Sequence, residues 1–348
     1  MSIAITADVH INEKYPERAR ALEALVTKAK ERGAEEVVAA GDLFDGPVRD
    51  PAFIDYLADS YLPLVLVPGN HDPGLRQGFF SSKRITVVEK PLLREGKTSL
   101  LFLPYREGAT MGGVIEASGY RDRLGNRPWV LISHGDFGRY GPEDKGEERG
   151  YFPLTRRDFQ RFNPSMAILG HIHRGHQPAP GVYYPGSPWP LDITERGRRR
   201  FLILDTGTLT IESHDVPGAP LNGLIDLVVV PGSDEAERVR RDMAAKIKKI
   251  TGKGKATQVT LRVYLRGNAE DRGAVEEAVK GTCASEGVIL EDLQAGDLLP
   301  ATDLRLGEIA RRVRERIDKM DLAYRPDELV ADDVLARAME LLYGQVKG

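Results

Sequence analysis

Short apolar runs, each followed at once by polar side chains, restrict the fold of this chain more than any other feature. The run Leu64–Val67 contains only leucine and valine, and Pro68-Gly69-Asn70-His71-Asp72 follows it directly. Such a run predicts a buried strand, and the Pro-Gly pair predicts where the strand ends. Residues 3–6 and 37–40 repeat this pattern. Because open α/β sheets bind ligands at the carboxyl ends of their strands, we expect the polar side chains to converge there.

Two amphipathic segments separate these first three strands. Residues 16–32 place their apolar side chains on one helical face, and residues 51–60 predict a second helix. The order strand–helix–strand–helix–strand is typical of parallel crossovers. Six more strands are predicted over residues 85–88, 99–103, 129–133, 166–169, 182–184 and 201–204. Residues 135–151 are rich in glycine and charge, which predicts a long surface loop.

A cluster of Pro217, Gly218 and Pro220 predicts a domain boundary. We therefore expect a first domain over residues 1–215, a small α/β capping domain over 221–300 and a helical segment over 301–348. In the capping domain the pattern predicts strands at 224–230, 258–265 and 288–290, and helices at 233–250, with Ser233 as N-cap, and 268–286. Two terminal helices are predicted from apolar stripes formed by Leu306, Ile309, Val313, Ile317 and Met320, and by Val330, Val334, Ala338 and Leu341.

Composition narrows the class of protein without naming a function. The formal net charge of −3 gives no global sign of nucleic-acid binding, although local basic patches matter more than the total. The single cysteine, Cys283, excludes an internal disulfide and suits a reducing cytosol. There is no apolar run long enough for a membrane span and no signal-peptide pattern. We therefore expect a cytoplasmic protein.

Five of the seven histidines belong to the polar residues at predicted strand ends. The full set is Asp8, His10, Asp42, Asn70, His71, His134, His171 and His173. Oxygen and imidazole donors without cysteine suit hard or borderline divalent metals. The set exceeds the needs of one ion and suits two ions about 3.5–4 Å apart that share a carboxylate. Each residue alone is more simply a turn, cap or structural residue, so the prediction depends on their joint occurrence.

The motifs Asp8-x-His10, Gly41-Asp42, Gly69-Asn70-His71-Asp72, His134 and Gly170-His171-x-His173 resemble, in this order, the five motifs of the calcineurin-like metallophosphoesterases. The resemblance covers residues 1 to about 213 and implies a four-layer α/β/β/α sandwich. It also implies two divalent ions, most simply Mn²⁺, that activate a water molecule as the nucleophile.

The same resemblance implies a role for each motif residue. One ion would be held by Asp8, His10, Asp42 and His173, and the other by Asp42, Asn70, His134 and His171. His71 would protonate the leaving oxygen, a role that suits imidazole because it titrates near neutral pH. Asp72 would orient His71.

Finer details resemble the SbcD-type DNA nuclease subunits. These details are Gly41-Asp42-Leu43-Phe44-Asp45, Leu103-Pro104-Tyr105, and Tyr184-Pro185-Gly186-Ser187 followed by Asp192-Ile193-Thr194-Glu195, together with the predicted capping domain. The resemblance implies a DNA exo/endonuclease of double-strand-break repair, its C-terminal helices bound to an SbcC-type ABC ATPase. It also implies a homodimer that pairs through residues 52–62 or 74–84. One departure is Asp45, where eukaryotic and archaeal members carry histidine.

Three basic groups could bind DNA phosphates without reading sequence. They are Arg196, Arg198, Arg199 and Arg200; Lys246, Lys248, Lys249, Lys253 and Lys255; and Arg121, Arg123 and Arg127. Charge runs are also common on ordinary solvated faces. Stacking on bases is possible for Tyr105, Tyr140, Tyr151 and Trp189, although core or rim packing is the simpler role.

Two further functions compete with the nuclease. A small-molecule phosphodiesterase or phosphatase fits the acidic net charge, whereas the capping domain favours DNA. A catalytically inactive scaffold would have no need to keep the full ligand set. For the C-terminal helices, packing on the capping domain competes with binding of an ATPase.

Overall fold

The structure, a computed structural model, describes residues 1–48, 50–125, 127–138, 150–252, 258–301, 304–320 and 331–344. The chain divides into two compact units, Met1–Ala219 and Pro220–Gly348. The division falls at Pro220, within the cluster of proline and glycine that interrupts both strand and helix patterns.

The first unit contains twelve strands and five α-helices among its described residues. In chain order they are β1 (Ser2–Thr6), α1 (Pro16–Glu31), β2 (Glu36–Ala40), α2 (Pro51–Ser60), β3 (Leu64–Val67), β4 (Ile85–Val87), β5 (Leu92–Arg94), β6 (Ser99–Phe102), α3 (Met111–Ser118), α4 (Tyr120–Leu124), β7 (Trp129–His134), α5 (Arg156–Phe162), β8 (Met166–Gly170), β9 (His176–Ala179), β10 (Val182–Tyr184), β11 (Arg200–Asp205) and β12 (Thr210–Asp215).

These strands form two six-stranded sheets, in the orders β12-β11-β1-β2-β3-β4 and β5-β6-β7-β8-β10-β9. The central strands β1 to β4 are parallel, as the predicted crossovers require. In the second sheet β6, β7, β8 and β10 are parallel. In each sheet the carboxyl ends of the parallel strands therefore lie along one edge.

The two sheets pack face to face, and helices cover their outer faces. Between the sheets lies a core that includes Ile5 and Val38 from the first sheet and Ile132 from the second. Leu25 of α1 and Leu57 of α2 pack on the outside of the first sheet, and α3, α4 and α5 cover the second. These four layers confirm the predicted α/β/β/α sandwich.

Several short elements were not predicted from the sequence. Strands β5, β9 and β12 and helices α3 to α5 are short and irregular in pattern. Helix α3 begins Met111-Gly112-Gly113, which has poor helix propensity, yet Thr110 caps it by accepting a hydrogen bond from the amide of Gly113. Most of the predicted loop over 135–151 lies outside the described residues.

The second unit is built on a three-stranded parallel sheet in the order β13-β14-β15. Its elements are β13 (Leu221–Val229), α6 (Glu235–Thr251), β14 (Val259–Ala269), α7 (Arg272–Ser285), β15 (Ile289–Pro300), α8 (Leu304–Asp318) and α9 (Ala331–Gly344). Two sequence predictions are wrong here. The N-cap of α6 is Asp234 rather than Ser233, and β15 has 12 residues rather than the three predicted.

Helices α8 and α9 pack on the sheet of the second unit. Ala310 and Ile317 of α8 and Leu335 of α9 form a buried cluster with Val228 of β13 and with Val230, which directly follows this strand. The predicted apolar stripes were therefore partly wrong, since three of their members, Ile309, Met320 and Leu341, are about half exposed. Val330 lies outside the described residues. In the described parts of the chain, no helix is long and apolar enough to cross a membrane.

Candidate metal centre

The carboxyl ends of β1 and β2 carry the first three candidate ligands, Asp8, His10 and Asp42. Backbone hydrogen bonds join the two loops, from the Asp8 amide to the Gly41 carbonyl and from the His10 amide to the Asp42 carbonyl, each 3.0 Å long. All three residues are buried and have positive φ, at 54°, 51° and 51° respectively. Residues other than glycine seldom adopt this left-handed conformation, and it is often found at functional sites.

Gly69, which follows β3, allows the next loop to approach Asp42 closely. A Cβ atom at this position would collide with the Asp42 carboxylate and its backbone nitrogen. Asp42 Oδ1 also accepts a hydrogen bond of 2.8 Å from the amide of His71. A side chain at Gly69 would therefore displace Asp42, the carboxylate proposed to be shared between two ions.

The second sheet contributes three histidines from its own carboxyl edge. His134 ends β7, and its Nε2 lies 2.8 Å from Oδ1 of Asn70 and 3.2 Å from Oδ2 of Asp42. His171 and His173 follow β8, and the amide of His171 donates to Asp8 Oδ1 over 2.9 Å. The predicted ligands thus come together from both sheets.

The assembled donors fit a divalent metal centre. Among the described residues, three groups have ligand atoms within 4.8 Å of one another: Asp8, His10 and His173; Asp8, Asp42 and His134; and His10, Asp45 and His71. His10 Nε2 is buried without a hydrogen-bond partner among the described residues and lies 3.7 Å from Asp42 Oδ2. A buried imidazole nitrogen without a partner is costly, and a bound cation would satisfy it.

Asp42 and His134 form a buried, oppositely charged pair. Burial alone would raise the pKa of Asp42, but the hydrogen bond and charge of His134 lower it to about 2. Burial alone would lower the pKa of His134, but its hydrogen bond to Asp42 and the nearby carboxylates raise it to about 9. A metal ion that binds Nε2 of His134 would therefore displace its proton.

The pKa values of Asp8 and His10 shift in the direction that burial favours. Burial raises the pKa of Asp8 to about 6, although His134 and His173 oppose the change. Burial lowers the pKa of His10 to about 4. His10 is therefore a neutral ligand at physiological pH, whereas Asp8 is only partly ionised in slightly acidic solution.

His71 lies at the exposed side of this cluster, with 46% of its side chain accessible. Its Nδ1 is 3.1 Å from Oδ1 of Asp45. Asp72, predicted to orient His71, instead accepts hydrogen bonds from the amides of Gly69 (2.7 Å) and Phe44 (3.1 Å). The structure corrects the prediction: Asp45 contacts the His71 ring, and Asp72 holds the loop together.

Sequence reasoning also missed the role of Glu195. Its Oε1 lies 2.7 Å from Nδ1 of His173. Burial alone would lower the pKa of His173 and raise that of Glu195, but their hydrogen bond reverses both shifts. The acidic segment that ends at Glu195 was recognised in the sequence, but no spacing rule linked it to His173.

Several of the basic residues predicted to contact DNA have other partners. Arg199 is buried and ion-paired with Glu195, which makes it a structural residue. Arg198 and Arg200 both pair with Asp215, at 3.6 and 3.1 Å. Lys246 pairs with Asp332, and Arg123 pairs with Glu95. The other described candidates are exposed: Lys248, Lys249, Arg196, Arg121 and Arg127. Lys253, Lys255 and Tyr140 lie outside the described residues.

A layered α/β sandwich that gathers carboxylate, amide and imidazole side chains at one edge has the architecture of a metal-dependent hydrolase. The family model of calcineurin-like phosphoesterases matches residues 1–175, just over half of the 348 residues. The chain therefore belongs to the calcineurin-like phosphoesterase family, which implies a metal-dependent phosphoester hydrolase.

Several solved structures are similar at low identity. An archaeal phosphodiesterase is 14% identical, over 62% of this chain and 99% of its own, with a TM-score of 0.36. A phosphopantetheinyl hydrolase from Mycobacterium tuberculosis is 16% identical, over 54% and 90%, with a TM-score of 0.31. A dimetal phosphatase from Danio rerio is 11% identical, over 62% and 99%, with a TM-score of 0.34. Comparison with curated protein sequences found no significant match.

Proposed function

We propose that this chain is a two-metal phosphodiesterase that cleaves DNA, with Mn²⁺ as its metal. One observation carries the phosphodiester chemistry: a buried set of metal-ligand side chains adjoins the exposed His71, whose ring contacts Asp45. Carboxylate, amide and imidazole donors without thiolate suit Mn²⁺. Two divalent ions, when bound, neutralise phosphate charge and lower the pKa of a water molecule.

His71 is the residue of this chain best placed to move a proton. It is exposed next to the ligand cluster, with its ring centroid 4.7 Å from that of His10. With Nδ1 directed at Asp45, Nε2 is the nitrogen left to donate a proton to the leaving oxygen. Asp45 would keep the ring in the required tautomer.

Support for DNA as the substrate comes from the surface around the cluster. Tyr151 is 51% exposed, and its ring centroid lies 4.8 Å from that of His171, where it could stack on a base. Exposed Arg196 in the same unit could contact a phosphate. The acidic segment that ends at Glu195 follows the Gly-Ser motif, as in the SbcD-type subunits.

A small-molecule phosphodiesterase is the second candidate, and the ion pairs favour it. Arg198 and Arg200 share Asp215, and Arg199 is buried against Glu195. These three arginines thus have little free charge to offer a polymeric phosphate backbone. A mononucleotide-sized substrate would need only the metal cluster and a few neighbouring side chains.

The deciding experiment compares three substrates in the presence of Mn²⁺: linear double-stranded DNA, single-stranded DNA and bis-p-nitrophenyl phosphate. The DNA proposal expects cleavage of all three, and loss of cleavage in His71→Ala with bound metal retained. Hydrolysis of the small ester with both DNAs left intact, alone and with an ATPase partner, would favour the second candidate. No hydrolysis of any substrate by metal-loaded protein would contradict both.

We also propose that α8 and α9 bind an SbcC-type ABC ATPase. Their inner faces pack on the sheet of the second unit, but Ile309 and Leu341 remain about half exposed and could contact a partner. Charged substitutions, Ile309→Glu with Leu341→Glu, should abolish co-purification with the ATPase without unfolding the protein. Unchanged co-purification would refute this role of the helices.

A homodimer is a further proposal, through residues 52–62 or 74–84. Each segment contains one half-exposed aromatic residue, Tyr56 and Phe79 respectively. Light scattering of the wild type should give twice the monomer mass, and Tyr56→Ser with Phe79→Ser should give the monomer mass. A monomeric wild type at micromolar concentration would refute the proposal.

A further inference from the structure

We propose that Glu195, held in place by Arg199, is a positioning residue that fixes the tautomer and orientation of His173 as a metal ligand. The proposal rests on the metal-dependent site that defines the family and does not depend on which phosphoester is the substrate. It assigns a function to a carboxylate and a buried arginine that lie outside the predicted ligand set.

The Glu195 carboxylate is fixed through both of its oxygens. Oε1 lies 2.7 Å from Nδ1 of His173. Oε2 accepts hydrogen bonds from the amide of Leu191 over 3.0 Å and from Nη1 of Arg199 over 3.1 Å. The hydroxyl of Ser187 donates to the same oxygen over 3.4 Å. A carboxylate restrained in this way cannot rotate away from the imidazole without breaking several bonds.

Arg199 connects this carboxylate to the backbone of the ligand loop. Only 4% of the residue is exposed. Its Nη1 donates to the carbonyl of His173 over 3.3 Å, and its Nη2 donates to the carbonyls of Glu195 and Arg196 over 3.1 and 2.8 Å. Burial of a guanidinium is costly unless it is paired and hydrogen-bonded. Both terminal nitrogens of Arg199 are bonded in this way, whereas its Nε has no partner among the described residues. Arg199 therefore restrains the main chain of His173 while Glu195 restrains its ring.

The chemistry of imidazole turns this geometry into a metal-site function. When Nδ1 donates its proton to Glu195, Nε2 carries the free lone pair and is the nitrogen available to a metal. A carboxylate acceptor also raises the basicity of the ligand nitrogen. His173 lies within one candidate ligand group, with Asp8 and His10.

His134, a ligand of the other proposed ion, has a different kind of hydrogen-bond partner. Nδ1 of His134 lies 3.1 Å from the carbonyl of Ala40, which is a neutral acceptor. Nδ1 of His173 therefore contacts an anionic carboxylate, whereas Nδ1 of His134 contacts a neutral carbonyl. The two ions should therefore respond unequally when the charge of Glu195 is removed.

Glu195→Gln is the variant of choice, because it removes the charge and keeps an oxygen of similar position. Calorimetric titration with Mn²⁺ should show that one of two ions binds about 10- to 100-fold more weakly, with a much smaller change for the other. Wild-type affinity at both sites, or an equal loss at both, would overturn the proposal. The second result is expected if Glu195 merely folds the loop.

Glu212→Gln is the matched control. Glu212 also pairs with a histidine, since its Oε2 lies 3.2 Å from Nε2 of His214, but His214 belongs to none of the ligand groups found in the described residues. This variant should bind both ions with wild-type affinity. Weakening equal to that of Glu195→Gln would overturn the proposal, because the effect would then not be specific to His173.

A measurement on the metal-free wild type keeps the proposal testable even if Glu195→Gln does not fold. Nitrogen-15 NMR of the neutral imidazole of His173 should show the proton on Nδ1. A proton predominantly on Nε2 would overturn the proposal. Neither the Mn²⁺ titration nor the NMR measurement involves catalysis. Both results therefore remain interpretable even if the protein does not cleave DNA.

Discussion

At the scale of single residues, two neighbouring carboxylates have different roles because they contact different groups. Asp45 and Asp72 both lie near His71, but Asp45 contacts its ring while Asp72 is buried beneath the loop and bonded to two amides. Burial raises the pKa of Asp72, and hydrogen bonds from the Gly69 and Phe44 amides oppose the shift. The first carboxylate is thus placed to affect proton transfer, and the second to affect loop stability.

Asp45→Asn should lower kcat about 10- to 100-fold, less than the roughly 10²- to 10⁴-fold that a positioned general acid contributes. The reason is that the His71 ring would lose the partner that sets its tautomer. Steady-state kinetics on bis-p-nitrophenyl phosphate would measure the change, and calorimetry would confirm that both ions still bind. An unchanged kcat would show that Asp45 does not act on His71.

Asp72→Asn should lower the stability of the protein rather than its kcat. Asparagine keeps one oxygen, so one of the two buried amides loses its acceptor, and the free energy of unfolding should fall by about 1–3 kcal/mol. Chemical unfolding would measure this loss. A large fall in kcat in protein of wild-type stability would restore Asp72 as the residue that orients His71.

Metal binding should release protons, in an amount that depends on pH. With a pKa of about 9, His134 carries a proton at pH 7 that must leave when a metal binds. Affinity should therefore rise as the pH increases from 7 to 9. Below pH 6 it should fall further, because Asp8 becomes protonated near its pKa of about 6. Calorimetry in buffers of different ionisation enthalpy counts the protons, and a pH-independent affinity would contradict the prediction.

Sequence alone predicted those site residues that directly follow strands. Asp8, Asp42 and His134 lie at strand ends, so their positions in the sequence already imply that their side chains converge at one edge of the sheets. Glu195 and Asp45 were missed because their partners are 22 and 26 residues away and depend on the paths of irregular loops. Such contacts arise from tertiary packing, and a single sequence without regular spacing does not reveal them.

At the scale of elements, periodicity predicted the long regular segments better than the short ones. Helix α1 and strands β1 to β3 were placed within a residue or two, because each has a clear apolar pattern. The sequence correctly predicted helices α8 and α9, but the residues predicted to form their buried faces were partly wrong. Met339 of α9, for example, is 1% exposed and was not in the predicted stripe, whereas the predicted Leu341 is 53% exposed.

The difference in burial between Met339 and Leu341 predicts that substitutions at these two positions of α9 affect stability unequally. Met339→Ala should lower the free energy of unfolding by about 2–5 kcal/mol, because it leaves a cavity between α9 and the sheet. Leu341→Ala is the control and should change it by less than about 0.5 kcal/mol. Urea unfolding would measure both. Equal effects would show that α9 does not pack in this orientation.

At the scale of the whole molecule, the candidate metal centre joins the two sheets of the first unit. Asp8 and Asp42 come from the first sheet, and His134, His171 and His173 come from the second. Between the sheets, the rest of the interface is apolar packing around residues such as Val38 and Ile132. Bound ions would therefore add cross-sheet bonds that an unfolded chain lacks.

Mn²⁺ should accordingly raise Tm. At 100 times Kd a ligand that binds only the folded state contributes about 2.7 kcal/mol. At roughly 2–4 °C per kcal/mol this corresponds to a rise on the order of 5–10 °C. Scanning calorimetry with Mn²⁺ and with a chelator would measure it, and Asp42→Asn should abolish most of the rise. Tight Mn²⁺ binding without any change in Tm would contradict the prediction.

The left-handed backbone at Asp8 and Asp42 has a consequence for how this centre should be mutated. Aspartate and asparagine tolerate positive φ better than most residues, and a left-handed conformation costs an ordinary L-residue about 1–2 kcal/mol. Alanine at either position would therefore remove a ligand and distort the loop at once. Asparagine removes the charge alone and glycine relaxes the backbone. A comparison of these three substitutions would separate the contribution of the carboxylate from that of the loop shape.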